Sequence, residues 1–245
     1  MSTETAITLL ASAARGAGAG VSATLTLATG DNCARLVLYV TAVSGTTKFL
    51  ACTIDTSSDG VFWTTLHTFT AATAAGTQAV TVAGCKAYLR ASYTVSGTGT
   101  PVITFAIAGT SLRSYASPSD LARLGVASTV TSDVSGTDIA EALISQSDAA
   151  DGYLDPILTL PLTAWTDALR SAVCKLAAWD VLTVAVGFSP DDAANQVWSK
   201  RRDEAIEWFR DVAASRIGHG CFGTTPSTPS NELGIEVYTE TQRGW

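Results

Sequence analysis

The sequence contains few charged residues. Only 15% of its 245 residues are Asp, Glu, Lys or Arg, whereas 47% are hydrophobic. Soluble domains usually carry about 25% charged residues, so this composition excludes a disordered polyelectrolyte. The net charge of −7 argues against a protein that wraps nucleic acid, because duplex binding depends largely on Lys and Arg meeting phosphates. The length allows one large domain or two ordinary ones.

The residues that catalysis and metal binding usually require are also scarce. The two histidines are His67 and His219, and neither has a nucleophile or a metal ligand close to it in sequence. The five cysteines form no C-x-x-C pair, which favours free thiols, although one bridge among Cys33, Cys52 and Cys85 stays open. We therefore expect no metal, no cofactor and no enzymatic activity.

No segment is predicted to span or enter a membrane. The N-terminus lacks a cationic stretch and carries Glu4, which argues against a signal peptide. The longest apolar run, residues 172–188, contains Lys175 and Asp180, whereas a membrane span needs about 20 mostly uncharged residues. This run therefore predicts a buried helix in a protein made in a cytoplasm.

The charge is divided unevenly along the chain. Residues 1–113 contain six basic and four acidic side chains, a balance of +2, whereas residues 114–245 contain nine basic and eighteen acidic side chains, a balance of −9. Such asymmetry predicts two domains with different neighbours.

The first region, residues 1–113, has the alternation of β-strands. Short runs rich in Val, Thr, Tyr and Phe are separated by Gly, Ser and Asp clusters, whereas the Ala- and Gly-rich residues 11–20 predict a loop. The pattern predicts an antiparallel β-sandwich or jelly roll. The predicted strands are 5–10, 21–27, 35–43, 49–55, 61–69, 78–82, 87–95 and 102–108.

One loop of this region copies the opening of a calcium-binding loop. The acidic pattern runs from Asp55 to Gly60, but the twelfth position is Leu66 where a bidentate Glu belongs. A hairpin turn with Gly60 at a positive φ is the favoured interpretation.

The second region, residues 114–218, has the spacing of helices. Ser117 followed by Pro118 predicts a helix start, and Thr137 is the predicted cap of the next helix. The four predicted helices span 118–124, 138–154, a stretch that begins at Pro161, and 190–215. The fold class is therefore α+β in two domains: a sandwich or jelly roll, then a four-helix bundle and an extended C-terminal tail.

The tail, residues 219–245, begins as a Gly-, Ser-, Thr- and Pro-rich linker and ends in an alternating segment at 234–245. That segment has two interpretations: a frayed end, or a donor strand that adds to a sheet edge or groove on another chain.

Four carboxylates in the second predicted helix are separated by seven, three and four residues, which places them on one helical face. They are Glu141, Asp148, Asp151 and Asp155. A solvated face, a metal site, and an acidic surface facing something that should not stick to it are the three interpretations.

Residues 115–217 resemble the Mu-type phage head–tail connector (neck or adaptor) family. The resemblance rests on dispersed helical signatures in the same order; they are Tyr115-Ala-Ser-Pro-Ser-Asp120-Leu121, Ile139-Ala-Glu-Ala-Leu143, Asp151-Gly-Tyr153-Leu154, Leu160-Pro161-Leu162, 169–182 and 202–212. Two features depart from the family: Leu158-Thr159 stands where members often carry Arg-Tyr, and members usually lack a large N-terminal β-domain.

The resemblance implies a structural virion protein in the phage neck. It implies a ring, commonly of twelve copies, that lies beneath the portal protein, contacts a tail completion or terminator protein or the next neck protein, and surrounds DNA without binding it specifically. On this basis we expect the four carboxylates to line the channel and repel phosphates. We expect the tail to engage the portal through Ile235, Val237, Tyr238 and Trp245.

The first region has a looser resemblance of its own. Ser58-Asp-Gly60-Val-Phe-Trp63 is similar to the S-D-G-x-x-W hairpin of small β-sandwich modules that decorate phage virions. We expect this region to be an outer module of the neck. The alternative is a glycan- or surface-binding β-module on a helical virion stalk, with Trp63 or Tyr93 as a stacking platform.

Overall fold

A computed structural model describes residues 4–160, 162, 164–185 and 196–216 of the chain. Antiparallel β-sheets come first and helices follow, so the protein is an α+β mixture. The strands are β1 (Thr5–Gly16), β2 (Gly18–Val21), β3 (Leu25–Thr26), β4 (Cys33–Ser44), β5 (Thr47–Ser57), β6 (Thr64–Thr68), β7 (Gly76–Ala83), β8 (Tyr88–Thr98) and β9 (Val102–Leu112).

The strands form two sheets that share one hydrophobic core. One sheet has the order β1-β9-β4-β7 and the other β2-β8-β5-β6, with β3 also paired to β8. Alternate residues of each strand point inward, as the period of two requires. Leu36 and Phe105 from the first sheet and Leu50 and Leu89 from the second are fully buried in this core. The arrangement is that of a β-sandwich.

The Ala- and Gly-rich segment at 11–20 is not a loop, so that prediction is wrong. β1 pairs with β9 as far as Gly16, and β2 then pairs with β8 in the other sheet. A Cβ at Gly20 would lie 2.4 Å from the hydroxyl of Tyr93, so glycine permits this close approach. The guanidinium of Arg15 donates to three backbone carbonyls nearby. Backbone pairing therefore holds a segment whose side chains give no apolar signal.

The helical region contains four helices in the described part of the chain. They are α1 (Pro118–Asp120), α2 (Gly136–Leu154), α3 (Asp167–Asp180) and α4 (Gln196–Ala213); π-helical turns at Leu121–Gly125 and Val181–Ala185 extend α1 and α3. These elements share a second core that includes Tyr115, Leu143, Leu169 and Phe209. Because α1 is a single turn, this core is built mainly by three long helices.

Of the predicted helix starts, one agrees with the structure and two differ from it. Ser117 caps α1, and its side chain and that of Asp120 form a reciprocal capping box. The cap of α2 is Ser135 and not the predicted Thr137, because the Ser135 side chain accepts from the Asp138 N–H. α3 begins at Asp167, later than predicted. The predicted starts at Pro161 and Pro190 lie outside the described residues.

Among the described residues, no helix is long and apolar enough to cross a membrane. The four cysteines in that part of the chain are buried and free, as the sequence favoured; they are Cys33, Cys52, Cys85 and Cys174.

Candidate functional site

Three of the four carboxylates that the sequence groups together lie on α2 and the fourth, Asp155, is its C-cap residue. The structure gives them different surroundings. Glu141 binds the sandwich region. The guanidinium of Arg35 in β4 donates to both carboxylate oxygens of Glu141 at 2.9 and 2.6 Å. The Thr81 hydroxyl in β7 donates to the same carboxylate at 2.5 Å. Glu141 therefore connects the helical region to the sandwich.

The contact with Arg35 also shifts the pKa of the Glu141 carboxyl. The hydrogen bond from Arg35 is the largest influence on the pKa of Glu141 and lowers it, with the Thr81 hydroxyl acting in the same direction against burial. Arg35 also donates to Glu4 at 2.9 Å. Both Arg35 and Glu141 stay partly accessible, with side chains 42% and 39% exposed, so solvent screens the pair.

Asp151 lies inside the helical core. It is 5% exposed, and the hydroxyl of Tyr115 donates a hydrogen bond to its carboxylate. Burial raises the pKa of Asp151 above its usual range, although the hydrogen bond from Tyr115 acts against this shift. Packing within one chain already covers this side chain, which argues against the predicted place of Asp151 on a channel-lining face.

Asp148 on α2 and Asp155 at its C-cap are exposed, and for them the place in a channel stays a prediction. The negative charge of Asp148 raises the pKa of Arg35 and the pKa of Asp151. The four carboxylates thus split into a contact with the sandwich, a buried polar group and two exposed charges.

A polar network holds the junction between the two regions. The side chain of Asn32 bonds both the N–H and the carbonyl of Ser114. The Ser147 hydroxyl accepts from the Tyr115 N–H at 2.9 Å, and the Trp165 indole N–H donates to the Tyr115 carbonyl at 2.7 Å. These partners lie far apart in sequence, so no local spacing could have identified them.

An apolar contact lies beside this network. Ile144 of α2 is 1% exposed and packs with Cys33 and Leu112 of the sandwich, with Ala83 against them. Since buried apolar contact and paired charges both cross the junction, the sandwich is attached to α2 by more than the connecting backbone.

The two aromatic rings considered as a stacking platform for glycans, those of Trp63 and Tyr93, already contact other groups of this chain. The guanidinium of Arg90 lies 4.2 Å from the centre of the Trp63 ring, and the Trp63 indole N–H donates to the Gly60 carbonyl. Tyr93 packs edge-on against Phe105, with ring centres 5.2 Å apart. These contacts favour structural roles for both rings.

The calcium-like loop is a hairpin connection between β5 and β6, as expected. Asp55 accepts from Ser92, Thr65 and Arg90, and Gly60 has φ +74°. Within the described part of the chain, no three His, Cys, Asp or Glu residues are grouped as metal ligands would be.

The residues expected to engage the portal lie outside the described part of the chain, and their role stays a prediction. They are Ile235, Val237, Tyr238 and Trp245.

Comparison with solved structures finds weak likenesses. The PBSX exported protein XepA is 18% identical over 44% of this chain and 36% of that chain, with a TM-score of 0.34. A structure of the disulfide-linked pili of Bacillus endospore appendages is 16% identical over 46% of this chain and 92% of that chain, with a TM-score of 0.29. Such scores support no conclusion about fold or function. A search of the curated proteins finds no match.

A protein-family comparison gives the stronger result. Residues 109–236 match the family described as Bacteriophage Mu, Gp36, which is more than half of the chain. The match begins in β9, covers the whole helical region and continues into the tail. The chain belongs to the Bacteriophage Mu Gp36 family of phage structural proteins.

Proposed function

We propose that this protein is a non-enzymatic head–tail adaptor of the virion neck, which forms a ring beneath the portal and joins the capsid to the tail. The observation that carries the proposal is the family match over residues 109–236. It coincides with the helical segment that resembles phage connectors. The same adaptor contacts a tail completion or terminator protein, or the next neck protein, on its other side.

The tail is the proposed portal-binding element. Its last segment alternates apolar and polar residues around Ile235 and Val237 and ends with Trp245, the pattern of a strand that pairs with an edge on another chain. A modest affinity per copy is enough, because a ring of about twelve linked copies raises the effective concentration of every tail.

The channel is the proposed path of DNA. Residues 114–245 carry eighteen acidic and nine basic side chains, and Asp148 on α2 and Asp155 at its C-cap are exposed. Carboxylates facing the channel repel phosphates, so DNA passes without being held. Asp151 is buried and does not face this channel, and Glu141 pairs with Arg35 of the sandwich, so the two exposed carboxylates provide the proposed repulsion.

The sandwich is the proposed outer module. It is nearly neutral in charge and is attached to α2 through the Arg35–Glu141 pair and the Ile144 contact. This attachment gives it a defined orientation from which to contact capsid, tail or a decoration protein.

The portal contact is tested by co-sedimentation of the full chain with assembled portal rings. The double variant Ile235→Ser/Val237→Ser should lose portal binding, because it removes the apolar face of the proposed strand. The matched control Glu236→Gln/Glu240→Gln changes the opposite face of the same proposed strand without removing apolar surface and should bind like wild type. Equal binding by both variants would contradict the proposed role of the tail.

A further inference from the structure

The connection between β5 and β6 presents two large apolar side chains to solvent. Val61 is 70% exposed and Phe62 is 79% exposed. Isolated apolar residues on a surface are ordinary, but these two are adjacent and lie at the end of a hairpin. We call residues 58–62 the hairpin tip.

The hairpin tip is held in place by its own hydrogen bonds. One oxygen of Asp59 accepts the N–H groups of Val61 and Phe62 at 2.8 and 2.9 Å. The Ser57 hydroxyl oxygen accepts the N–H of Gly60 at 2.9 Å. Because the free chain has already ordered this loop, binding through Val61 and Phe62 would lose little conformational entropy.

The layer beneath the tip is also fixed. The Arg90 guanidinium stacks on the Trp63 ring and pairs with the buried carboxylate of Asp55 at 3.3 Å. The side chains beneath the hairpin tip are therefore fixed by packing and by an ion pair.

The outer face of the same sheet contains a shallow concavity of about 450 Å³, formed by β2, β8 and β5. Ala19 and Ala51 supply small side chains, and Val21, 59% exposed, forms an apolar rim. Phe49, 48% exposed, lies two residues before Ala51 on the same face of β5. The residues that line the concavity are all uncharged; they are Ala19, Gly20, Val21, Ala51, Thr53, Ser92, Tyr93 and Thr94.

The tip cannot fill the concavity of its own chain. Ser57 lies six residues after Ala51 and four after Thr53, the β5 lining residue nearest the tip, which corresponds to roughly 20 Å and roughly 13 Å of extended strand. The molecule therefore carries an apolar projection and an apolar recess at separate places on one sheet. Such a pair of unlike surfaces is what a head-to-tail contact between identical copies requires.

We propose that the Val61–Phe62 tip of one copy inserts into the β2–β8–β5 concavity of the next copy. This inference rests on the proposed ring, and it adds a contact between the sandwich regions of adjacent copies. It is heterologous, so it closes a ring when the rotation between copies allows closure. The occupant is a second copy of this chain, because the chain itself offers both surfaces and neither carries a charge on its contacting side chains.

Sedimentation velocity of the full chain tests this contact with one variant on each surface. Phe62→Ser removes the projection, and Ala51→Arg fills the recess with a charged side chain. Wild type should self-associate as concentration rises, and each variant alone should associate at least about ten-fold more weakly. An equimolar mixture of the two should form a dimer, because each supplies the surface that the other lacks.

Further variants keep the test independent of folding. Ala19→Arg fills the same recess from β2, the strand at the end of the sheet. Asp59→Ala keeps both apolar side chains but removes the hydrogen bonds that order the tip, which should give an intermediate loss. Val130→Ser is the matched control, since Val130 is 45% exposed in the helical region and its loss should leave association unchanged.

Three results would overturn the proposal. They are a wild-type chain that stays monomeric at every concentration, a Phe62→Ser variant that associates like Val130→Ser, and a mixture of the two surface variants that forms no dimer. Portal co-sedimentation of Phe62→Ser separates this inference from the proposed function, because the tail contact should survive when the tip contact is lost.

Discussion

In the described part of the chain, the sandwich buries Asp55 and the helical region buries Asp151, and these two carboxylates behave in opposite ways. Asp55 in the sandwich is 6% exposed and Asp151 in the helical region is 5% exposed. Burial alone raises the pKa of Asp55, but hydrogen bonds from neighbours that include Ser92 and Arg90 outweigh it, and the pKa is lowered. Asp151 is bonded to the neutral hydroxyl of Tyr115, and burial raises its pKa. The partner, and not the burial, decides the direction.

The opposite shifts give the two regions opposite responses to pH. The pKa of Asp55 is lower in the folded than in the unfolded chain, so its stabilisation is present above the unfolded pKa and is lost as pH falls. The pKa of Asp151 is higher in the folded chain, so its contribution is present below the unfolded pKa and is lost as pH rises through the folded pKa.

The largest expected effects come from the two cores. Phe105→Ala in the sandwich and Phe209→Ala in the helical region each create a cavity at a fully buried ring, which should lower the free energy of unfolding by about 3–5 kcal/mol. Differential scanning calorimetry should show a different transition moved by each variant, because the two rings belong to separate clusters. A single transition lowered equally by both would contradict the division into two regions.

Removal of the charge of Asp55 should have the next largest effect. Asp55→Asn leaves Arg90 without its carboxylate and should cost about 2 kcal/mol at neutral pH, less than a fully buried pair because Arg90 is partly exposed. The cost should shrink as pH falls below about 4, where the unfolded carboxyl is protonated. Urea unfolding across pH measures this; a cost that does not change with pH would argue against a lowered pKa for Asp55.

The buried pair of the helical region should show the reverse dependence. Tyr115→Phe removes the donor to a buried carboxylate and should cost about 1–3 kcal/mol at neutral pH. Asp151→Asn should cost less there, and wild type should lose stability relative to Asp151→Asn as pH rises from about 4. The same urea experiment reports it, and a parallel pH dependence of Asp55→Asn and Asp151→Asn would contradict the contrast between the regions.

The contact between the regions should contribute least. Glu141→Gln weakens a partly exposed ion pair and should cost about 1 kcal/mol at neutral pH, with less effect in acid because the pKa of Glu141 is lowered in the folded chain. Asp155→Asn at the C-cap of the same helix is the matched control and should stay within about 0.5 kcal/mol. Equal effects of both substitutions in denaturant unfolding would show that the Arg35 contact adds no stability.

Local sequence patterns predicted most of the helices and strands, whereas contacts between residues far apart in the sequence could not be predicted. Ser117 followed by Pro118 was sufficient to place the start of α1, because the residues that cap this helix lie within one turn. The strand at 11–16 was missed because its Ala and Gly side chains carry no alternation, while pairing with β9 holds it. The spacing on α2 could not show that Glu141 and Asp151 have different surroundings, because the side chains that contact them come from β4, from β7 and from Tyr115.

Electron cryo-microscopy of the full chain bound to its portal tests the central claim most directly. The account predicts a closed ring of this protein on the portal, with the helical region around the channel and Asp148 and Asp155 facing the DNA path. A portal complex without this chain, or a ring in which those two carboxylates face away from the channel, would contradict it.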